Sequence, residues 1–480
     1  MAHILFSAAH KSSGKTTVTL GVCRALKNRG LTVQPFKKGP DYIDPLWLGT
    51  ASGRPCHNLD FFTMSAAEIQ SDFSSRGEGA DISIIEGNKG LYDGLDLEGG
   101  NSNAALARML AAPVILILDA RGMTRGIAPL ILGYQAFEAN VNIAGVILNR
   151  IGGTRHEEKL RAIIEHYTDV SVIGAVHHDP ALDIPERHLG LIPFNETAAA
   201  EHKISIIAER IATEVDLDRL LAIAGKAPAL AAQPGPSSRA GITAPDVRIA
   251  IARDSAFGFY YDSDLSALKT AGAELVEVDL TSDDRLPPVD GLFIGGGFPE
   301  TQMAALEDNA SMRSSVREAI EAGLPAYAEC GGMMYLARSL SWSGITRSMA
   351  GVIPADVVMH ERPRGRGYVR LRETEHQPWP RSQNPDVPKG EGEGIIPAHE
   401  FHYSSLENFD GTPVYAYDVL RGHGIDGEHD GLVLHNLLAS YVHLRDVGVN
   451  RWARRFVSFV RNKKHDTELK PNYEKKSVTY

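Results

Sequence analysis

Ala8-Ala9-His10-Lys11-Ser12-Ser13-Gly14-Lys15-Thr16-Thr17 is the stretch that decides the fold. The apolar run Ile4-Leu5-Phe6 precedes it, and Val18-Thr19-Leu20-Gly21-Val22-Cys23-Arg24-Ala25-Leu26, with apolar residues at helical spacing, follows it. The order is therefore strand, loop, helix. A phosphate-binding loop belongs there: backbone N–H groups and a helix N-terminus hold phosphate, a lysine reaches the β and γ oxygens, and a hydroxyl ligates magnesium. Gly14, Lys15, Thr16 and Thr17 are the candidate nucleotide residues, with Lys15 and Thr16 in the last two roles. The strict motif has a glycine five residues before Gly14, where this chain has Ala9. The reading therefore rests on the strand and helix around the loop, since Gly-Lys-Thr alone also opens ordinary helices.

Outward from the loop, Gly30-Leu31-Thr32-Val33-Gln34-Pro35-Phe36 reads as a helix stop followed by a second strand, so the chain opens with a βαβ unit. The following segment, from Lys37 to Pro45, carries Lys38, Asp41, Tyr42 and Asp44. In doubly wound sheets ligands sit at that carboxyl edge, and lysines with aspartates there suit phosphate, magnesium or an acidic substrate. An ordinary polar turn punctuated by Pro40 and Pro45 accounts for the segment equally well. The stretch 81–87 reads as another buried-type strand ending in the carboxylate of Glu86, where a magnesium-organising carboxylate sits in such ATPases. Thr16, Asp44 and Glu86 thus form the candidate metal set. Strands at 113–119 and 143–149 flank a crossover helix read over Met123–Phe137. Runs apolar on both faces, alternating with helices, predict a parallel sheet covered on both sides. Asn149 ends its strand and suits either an adenine edge or a cap. His177 and His178 lack the acidic partners at helical spacing that a zinc site needs.

At 480 residues, with 43% hydrophobic and 23% charged residues, the chain has the make-up of a globular protein of two large domains or three smaller ones. A formal net charge of −11 argues against nucleic acid or an anionic membrane as main partner. No apolar run approaches a membrane span and no leader pattern precedes the first strand, which makes a cytoplasmic location the default expectation. Cys23, Cys56 and Cys330 are too few and too scattered for a disulfide framework or zinc site. The Ala, Pro, Gly and Ser-rich segment 224–246 reads as a linker between a first domain, 1–223, and a second, 247–460.

In the second domain, strands at 247–252, 275–278 and 291–294 lead to Gly295-Gly296-Gly297-Phe298-Pro299-Glu300. Then Pro325-Ala326-Tyr327-Ala328-Glu329 runs into Cys330-Gly331-Gly332 and at once into Met333-Met334-Tyr335-Leu336. Strand, sharp turn and helix form a nucleophile elbow with cysteine in place of serine. A helix N-terminus favours thiolate, the reactive form. Such a thiol needs a base, and His360, His399, His402, His435 and His443 are all candidates on spacing alone. Backbone N–H groups around Gly296, Gly297 and Gly331 are the candidate oxyanion donors. Residues 461–480 lack an apolar stripe and read as a disordered tail.

Together, the lysine loop, the segment Gln34 to Pro45, Gly90-Leu91-Tyr92-Asp93-Gly94, Tyr327 to Gly332, His399-Glu400-Phe401-His402-Tyr403-Ser404 and Ala439-Ser440-Tyr441-Val442-His443 resemble the cobyrinic acid a,c-diamide synthase family. The resemblance keeps the motif order up to about Phe459. It implies an α/β protein with two parts: an N-terminal P-loop ATPase domain similar to dethiobiotin synthetase and a C-terminal class I glutamine amidotransferase domain. It implies ATP with Mg²⁺, a tetrapyrrole polycarboxylate and glutamine as ligands, activation through an acyl phosphate, and a homodimer. Carried onto these residues, Cys330 is the glutaminase nucleophile and His443 its base, with Asp41 and Asp44 near magnesium or substrate. Other class I glutaminases place a glutamate two residues beyond that histidine. This chain has Arg445, so the resemblance implies a cysteine and histidine pair. Two alternatives stand beside this reading. Asn88-Lys89, where an apolar pair is expected, leaves room for amidation of sirohydrochlorin or sirohaem. A partitioning-type ATPase would explain the first domain but has no use for the Cys330 elbow.

Overall fold

The computed structural model describes all residues except 188, 189, 192, 194–198, 229, 231–243, 381–393 and 470–480. The chain divides into two compact units, Met1–Pro236 and Ser237–Tyr480. Most of the expected linker lies outside the described residues; its first residue, Ala224, closes the helix Leu217–Ala224.

In the first unit β1 (His3–Ala8), β2 (Val33–Lys38), β3 (His57–Leu59), β4 (Ile82–Glu86), β5 (Val114–Asp119), β6 (Ile143–Ile151) and β7 (Val172–His177) form one sheet in the order β3-β2-β4-β1-β5-β6-β7. Every pairing is parallel. β1, β2 and β4 are buried along their whole length, as strands covered by helices on both faces must be. Strand order reverses about β1, and the carboxyl edge at such a switch point is where a ligand crevice forms. Helix α1 (Lys15–Asn28) begins right after the loop leaving β1. Helix α2 (Ile43–Ser52) follows β2. The crossover helix expected from Met123 starts only at Ile127. Pro129 falls in its first turn, where a missing N–H costs no intrahelical bond.

The second unit is built on a nine-stranded sheet. Five parallel neighbours come first, Ala273–Val278, Val247–Ala252, Gly291–Ile294, Ala326–Glu329 and Leu437–Ser440. The strands His429–Leu434, Tyr415–Arg421, Gly365–Glu373 and Ile395–His402 extend it antiparallel. Alternate residues of the central strands feed two cores. Leu292, Ile294, Ala326 and Ala328 pack with Phe257, Tyr335 and Tyr441 on one face. Phe293, Tyr327 and Leu438 pack with Trp452 and Phe456 on the other.

The last helix, Trp452–Leu469, corrects the expectation of a disordered tail from Arg461. Its apolar stripe, Trp452, Ala453, Phe456, Val457 and Val460, does end there. Ion pairs then carry the helix onward: Arg461 Nη2 meets Asp246 Oδ1 at 2.9 Å and Lys464 Nζ meets Asp290 Oδ2 at 3.0 Å. The rest of the expected tail, 470–480, lies outside the described residues. Among the described residues no helix is long and apolar enough to cross a membrane.

Candidate functional sites

At the carboxyl edge of β1, Gly14 takes φ 84°, a left-handed conformation that suits glycine. A Cβ on it would stand 2.1 Å from Asn149 Nδ2. That amide donates to Ser13 O at 2.9 Å. The group expected at an adenine edge is therefore engaged in bracing the loop from β6. Two tyrosines fasten the loop from another side. Tyr134 donates to Ala9 O and Tyr92 donates to Tyr134 O, each at 2.5 Å. The segment Gly90–Gly94 lies against the loop, so that a Cβ on Gly90 would come within 2.7 Å of Ala9 O. An open cleft of about 590 Å³ beside the loop is lined by His10, Asp119, Arg121, Gly122 and Met123.

The sheet register assembles the rest. Lys37 on β2 and Phe6 on β1 are both direct neighbours of Glu86 on β4, so the lysine and the carboxylate meet at the strand ends. Lys37 Nζ donates to Glu86 Oε1 at 2.6 Å and also to Asp44 Oδ2. Thr16 Oγ1 donates to Glu86 Oε1 at 2.8 Å and lies 3.3 Å from Asp44 Oδ2. Asp41 Oδ1 accepts from the N–H groups of Ile43 and Asp44 at 2.9 and 3.1 Å, capping α2. Tyr42 sits at the cap position of the same helix. Lys38 Nζ donates to Asn88 Oδ1 at 3.0 Å. Thr17 lies on the first turn of α1. Thr16, Lys38, Asp41, Tyr42, Asp44 and Glu86 are thus all at one edge, and Lys37, the first of the two lysines read there, is the cation at the centre of the cluster, bonded to both Asp44 and Glu86.

Burial governs the charges there. Desolvation, then the neighbouring Lys37, lowers Lys15 to about 8. Desolvation likewise lowers Lys38 to about 8. Desolvation, then the charge of Asp44, raises Asp41 to about 7. Burial pushes Glu86 up as well, against the pull of Lys37. For Asp44 the ammonium of Lys37 outweighs burial and holds the carboxyl below its ordinary range. Crowded carboxylates beside buried lysines form a site whose charges a phosphate and a divalent cation would balance. Glu86 Oε2 is buried without a hydrogen-bond partner, and the donors beside it are hard oxygens, so the residues fit Mg²⁺. Among the described residues no cluster of three or more ligating side chains forms a cage. Mg²⁺ needs none, since it takes one or two carboxylates and completes its shell with phosphate and water.

In the second unit Cys330 stands between strand Ala326–Glu329 and helix Gly331–Leu336 with φ 47° and ψ −103°. This is the strained elbow expected of a nucleophile turn, with Cys330 itself buried. Its N–H donates to Ser440 O at 2.7 Å, tying the elbow to the adjacent strand. Glycine is required around it. A Cβ on Gly332 would approach Ile294 O to 2.2 Å, and one on Gly331 would lie 2.9 Å from both N and O of Gly297. Gly296, Gly297 and Gly331 are therefore brought together beside the thiol.

Of the five candidate histidines, His443 hydrogen-bonds to Cys330. Its strand pairs with the elbow's strand, Glu329 opposite Ser440, which places both residues just beyond neighbouring strand ends. His399 stacks on His443, with centroids 5.0 Å apart and 16° between planes. His360 instead bonds Ser405 Oγ at 2.7 Å, and His402 stacks on Tyr441 at 3.9 Å. His435 lies on a turn with φ 54°. Burial alone would lower His443, but hydrogen bonds to Cys330 and Glu329 outweigh it and raise the group to about 10. Burial, with His443 and Arg445 alongside, holds His399 well below its ordinary value.

Glu329 escaped the sequence reading. Its Oε2 lies 3.3 Å from His443 Nδ1, while Oε1 accepts from Tyr327 OH at 2.5 Å and Leu444 N–H at 3.0 Å. Arg445 instead lies over the Tyr261 ring, 4.9 Å from its centroid.

Two family models match the two units. Residues 5–192 match the CobQ/CobB/MinD/ParA nucleotide binding domain, and residues 248–446 match the CobB/CobQ-like glutamine amidotransferase domain. A cobyrinate a,c-diamide synthase of Magnetococcus marinus is 43% identical over 96% of this chain and 97% of its own length. The chain belongs to the cobyrinate a,c-diamide synthase family. Enzymes of that name from Methanosarcina acetivorans and Archaeoglobus fulgidus are 42% and 38% identical over 94% and 96% of the chain, and over 93% and 98% of their own lengths. As a member of that family the chain is a glutamine-dependent amidoligase, with a nucleotide-binding unit before the amidotransferase unit.

Proposed function

We propose that this chain amidates the a and c acetate carboxylates of cobyrinic acid, using ATP and glutamine. The observation that carries the reading is identity across the full length to relatives of that name, in a chain holding both a phosphate loop and a paired thiol. A carboxylate is an anion and a poor acyl donor. Transfer of the γ-phosphoryl group of ATP to a carboxylate oxygen gives an acyl phosphate and ADP. Lys15 neutralises the transferred group, and the backbone N–H groups at the start of α1 hold the β-phosphate. Thr16, Asp44 and Glu86 would hold Mg²⁺, which supplies charge neutralisation on the phosphates when bound. Asn149 and the two tyrosines keep the loop in shape. Lys38, Asp41 and Tyr42 line the substrate side.

Free ammonia is scarce at neutral pH because it is mostly ammonium. The Cys330 thiolate therefore attacks the glutamine amide carbon, with backbone N–H groups among Gly296, Gly297 and Gly331 receiving the oxyanion. The His443 imidazolium gives its proton to the amide nitrogen of the tetrahedral intermediate, which leaves as neutral ammonia, and water then cleaves the thioester to glutamate. Ammonia adds to the acyl phosphate carbon and phosphate leaves, giving the amide. The test is mass spectrometry of products formed with glutamine, ATP and Mg²⁺ from cobyrinic acid, with sirohydrochlorin in a parallel reaction. Each carboxylate converted to amide lowers the mass by about one unit, and two successive glutamine-dependent losses from cobyrinic acid are expected. Conversion of sirohydrochlorin alone would overturn the substrate assignment.

A further inference from the structure

We propose that Glu329 is the positioning carboxylate of the thiol site, supplied by the residue before the nucleophile and orienting His443 from the nucleophile's own strand. The inference rests on the proposed Cys330 and His443 pair. Each Glu329 oxygen has a distinct task. Oε1 is fixed by two donors, the Tyr327 hydroxyl and the Leu444 N–H, which leaves Oε2 directed at His443 Nδ1, 3.3 Å away. Because Leu444 follows His443, one carboxylate holds both the ring and the backbone beside it. A carboxylate facing Nδ1 keeps the proton on that nitrogen and turns the Nε2 lone pair toward the thiol. It also stabilises the imidazolium that forms when the thiol ionises.

Among the described residues, the charged or titratable groups around the pair include His399 stacked on His443, Tyr327 bonded to Glu329, Tyr260, Tyr261, Arg445, Asp264, Asp446 and Tyr441. His399 presents a ring face to His443, and Arg445, two residues beyond the histidine, carries the wrong sign to hold an imidazolium. Burial is nearly complete on both sides of the contact, at 3% exposure for Glu329 and 4% for His443. Water therefore does not replace the carboxylate.

The test compares wild type with Glu329→Gln, Glu329→Asp and Cys330→Ala. Two readouts are taken: glutamine hydrolysis, and the pH midpoint of Cys330 alkylation by iodoacetamide, followed on the Cys330 peptide by mass spectrometry. In Glu329→Gln the amide N–H₂ meets Nδ1 and favours the other tautomer. The expected outcome is a fall in kcat for hydrolysis of about 10²-fold or more, of the kind seen when a triad carboxylate becomes an amide. KM for glutamine stays within a few fold, and the alkylation midpoint moves up because the thiolate loses its imidazolium partner. Glu329→Asp keeps the charge but withdraws it from Nδ1, and its midpoint lies between the other two. A folded Gln variant, checked by circular dichroism, that loses rate without moving the midpoint would make Glu329 only a structural brace and overturn the proposal. If only the Asp variant folds, a wild-type midpoint overturns it. Hydrolysis persisting in Cys330→Ala would instead sink the underlying pair, a result separable from either of these.

Discussion

Gly296→Ala isolates the geometry of the thiol site in one methyl group. Gly296 is not among the residues with positive φ, so alanine fits its backbone and the effect is steric. The added Cβ would lie 2.6 Å from His443 Cε1, with Phe259 Cβ at 3.3 Å and Cδ2 at 3.4 Å closing the other side. Ordinary contact begins at 3.4 Å, so the gap must open by about 0.8 Å, and the imidazole is the group free to give way. It cannot do so without disturbing its stack on His399 or its contact with Glu329. A misplacement of about 1 Å at a reacting group costs on the order of 10²-fold in rate, or about 2.7 kcal/mol in activation free energy. Steady-state glutamine hydrolysis should therefore show kcat down by about 10²-fold, with KM changed far less. Amidation driven by added ammonium salts, which bypasses the thiol, should run at the wild-type rate. A folded Gly296→Ala protein that hydrolyses glutamine within threefold of wild type would refute the placement of His443 against this glycine.

Two further outcomes follow from the same geometry. Cys330→Ala should lose glutamine-driven amidation and keep the ammonium-driven reaction, whereas Lys15→Ala should lose both, measured as ADP formed and amide product. Asp264 should make stability depend on pH. Burial, with Asp446 nearby, raises its carboxyl to about 8 in the folded protein, against about 4 in an unfolded chain. The folded state therefore holds a proton that the unfolded state releases. Its contribution is full below about pH 4 and is lost as pH rises to about 8, at up to about 1.4 kcal/mol per pH unit. Urea midpoints read from tryptophan emission at pH 5.5 and 8.5 should fall with pH, and Trp452, whose Nε1 donates to Asp264 Oδ2 at 3.1 Å, lies beside the titrating group. In Asp264→Asn the fall over that interval should be smaller, and an unchanged slope would refute the assignment.

The phosphate loop and the cysteine elbow were legible because each is a local device, a short stretch whose backbone shape and chemistry are written in consecutive residues. Helix α1 begins at Lys15, ahead of the apolar spacing at Val18, since its first turn is polar for the sake of phosphate. The antiparallel strands between Ile353 and Leu434 were not read. Gly365–Glu373 shows why: Arg366, Arg370 and Arg372 are exposed and only Val369 and Leu371 among its apolar side chains are buried, so its apolar signal is thin. The final helix past Val460 was missed because ion pairs with Asp246 and Asp290, far away in sequence, hold it. Glu329 stands directly before Cys330, yet its meaning depends on a partner 114 residues away.

Both sites depend on register in the same way. Glu86 meets Lys37 because those two residues are paired neighbours on β4 and β2. Glu329 meets His443 because Glu329 is paired with Ser440, three residues before the histidine. Side chains along a strand alternate between faces, so a slip of one residue would send Lys37 or Glu329 to the opposite side of its sheet. The apolar cores forbid that slip. Phe293 and Tyr327 stack at 5.1 Å on one face while Ile294 and Ala328 are buried on the other, so moving either strand by one position would exchange the contents of two filled cores. The packing that stabilises each sheet is thus also what sets the distances from Lys37 to Glu86 and from Glu329 to His443. Polar residues at strand ends can therefore carry the chemistry, while the apolar residues behind them fix where it happens.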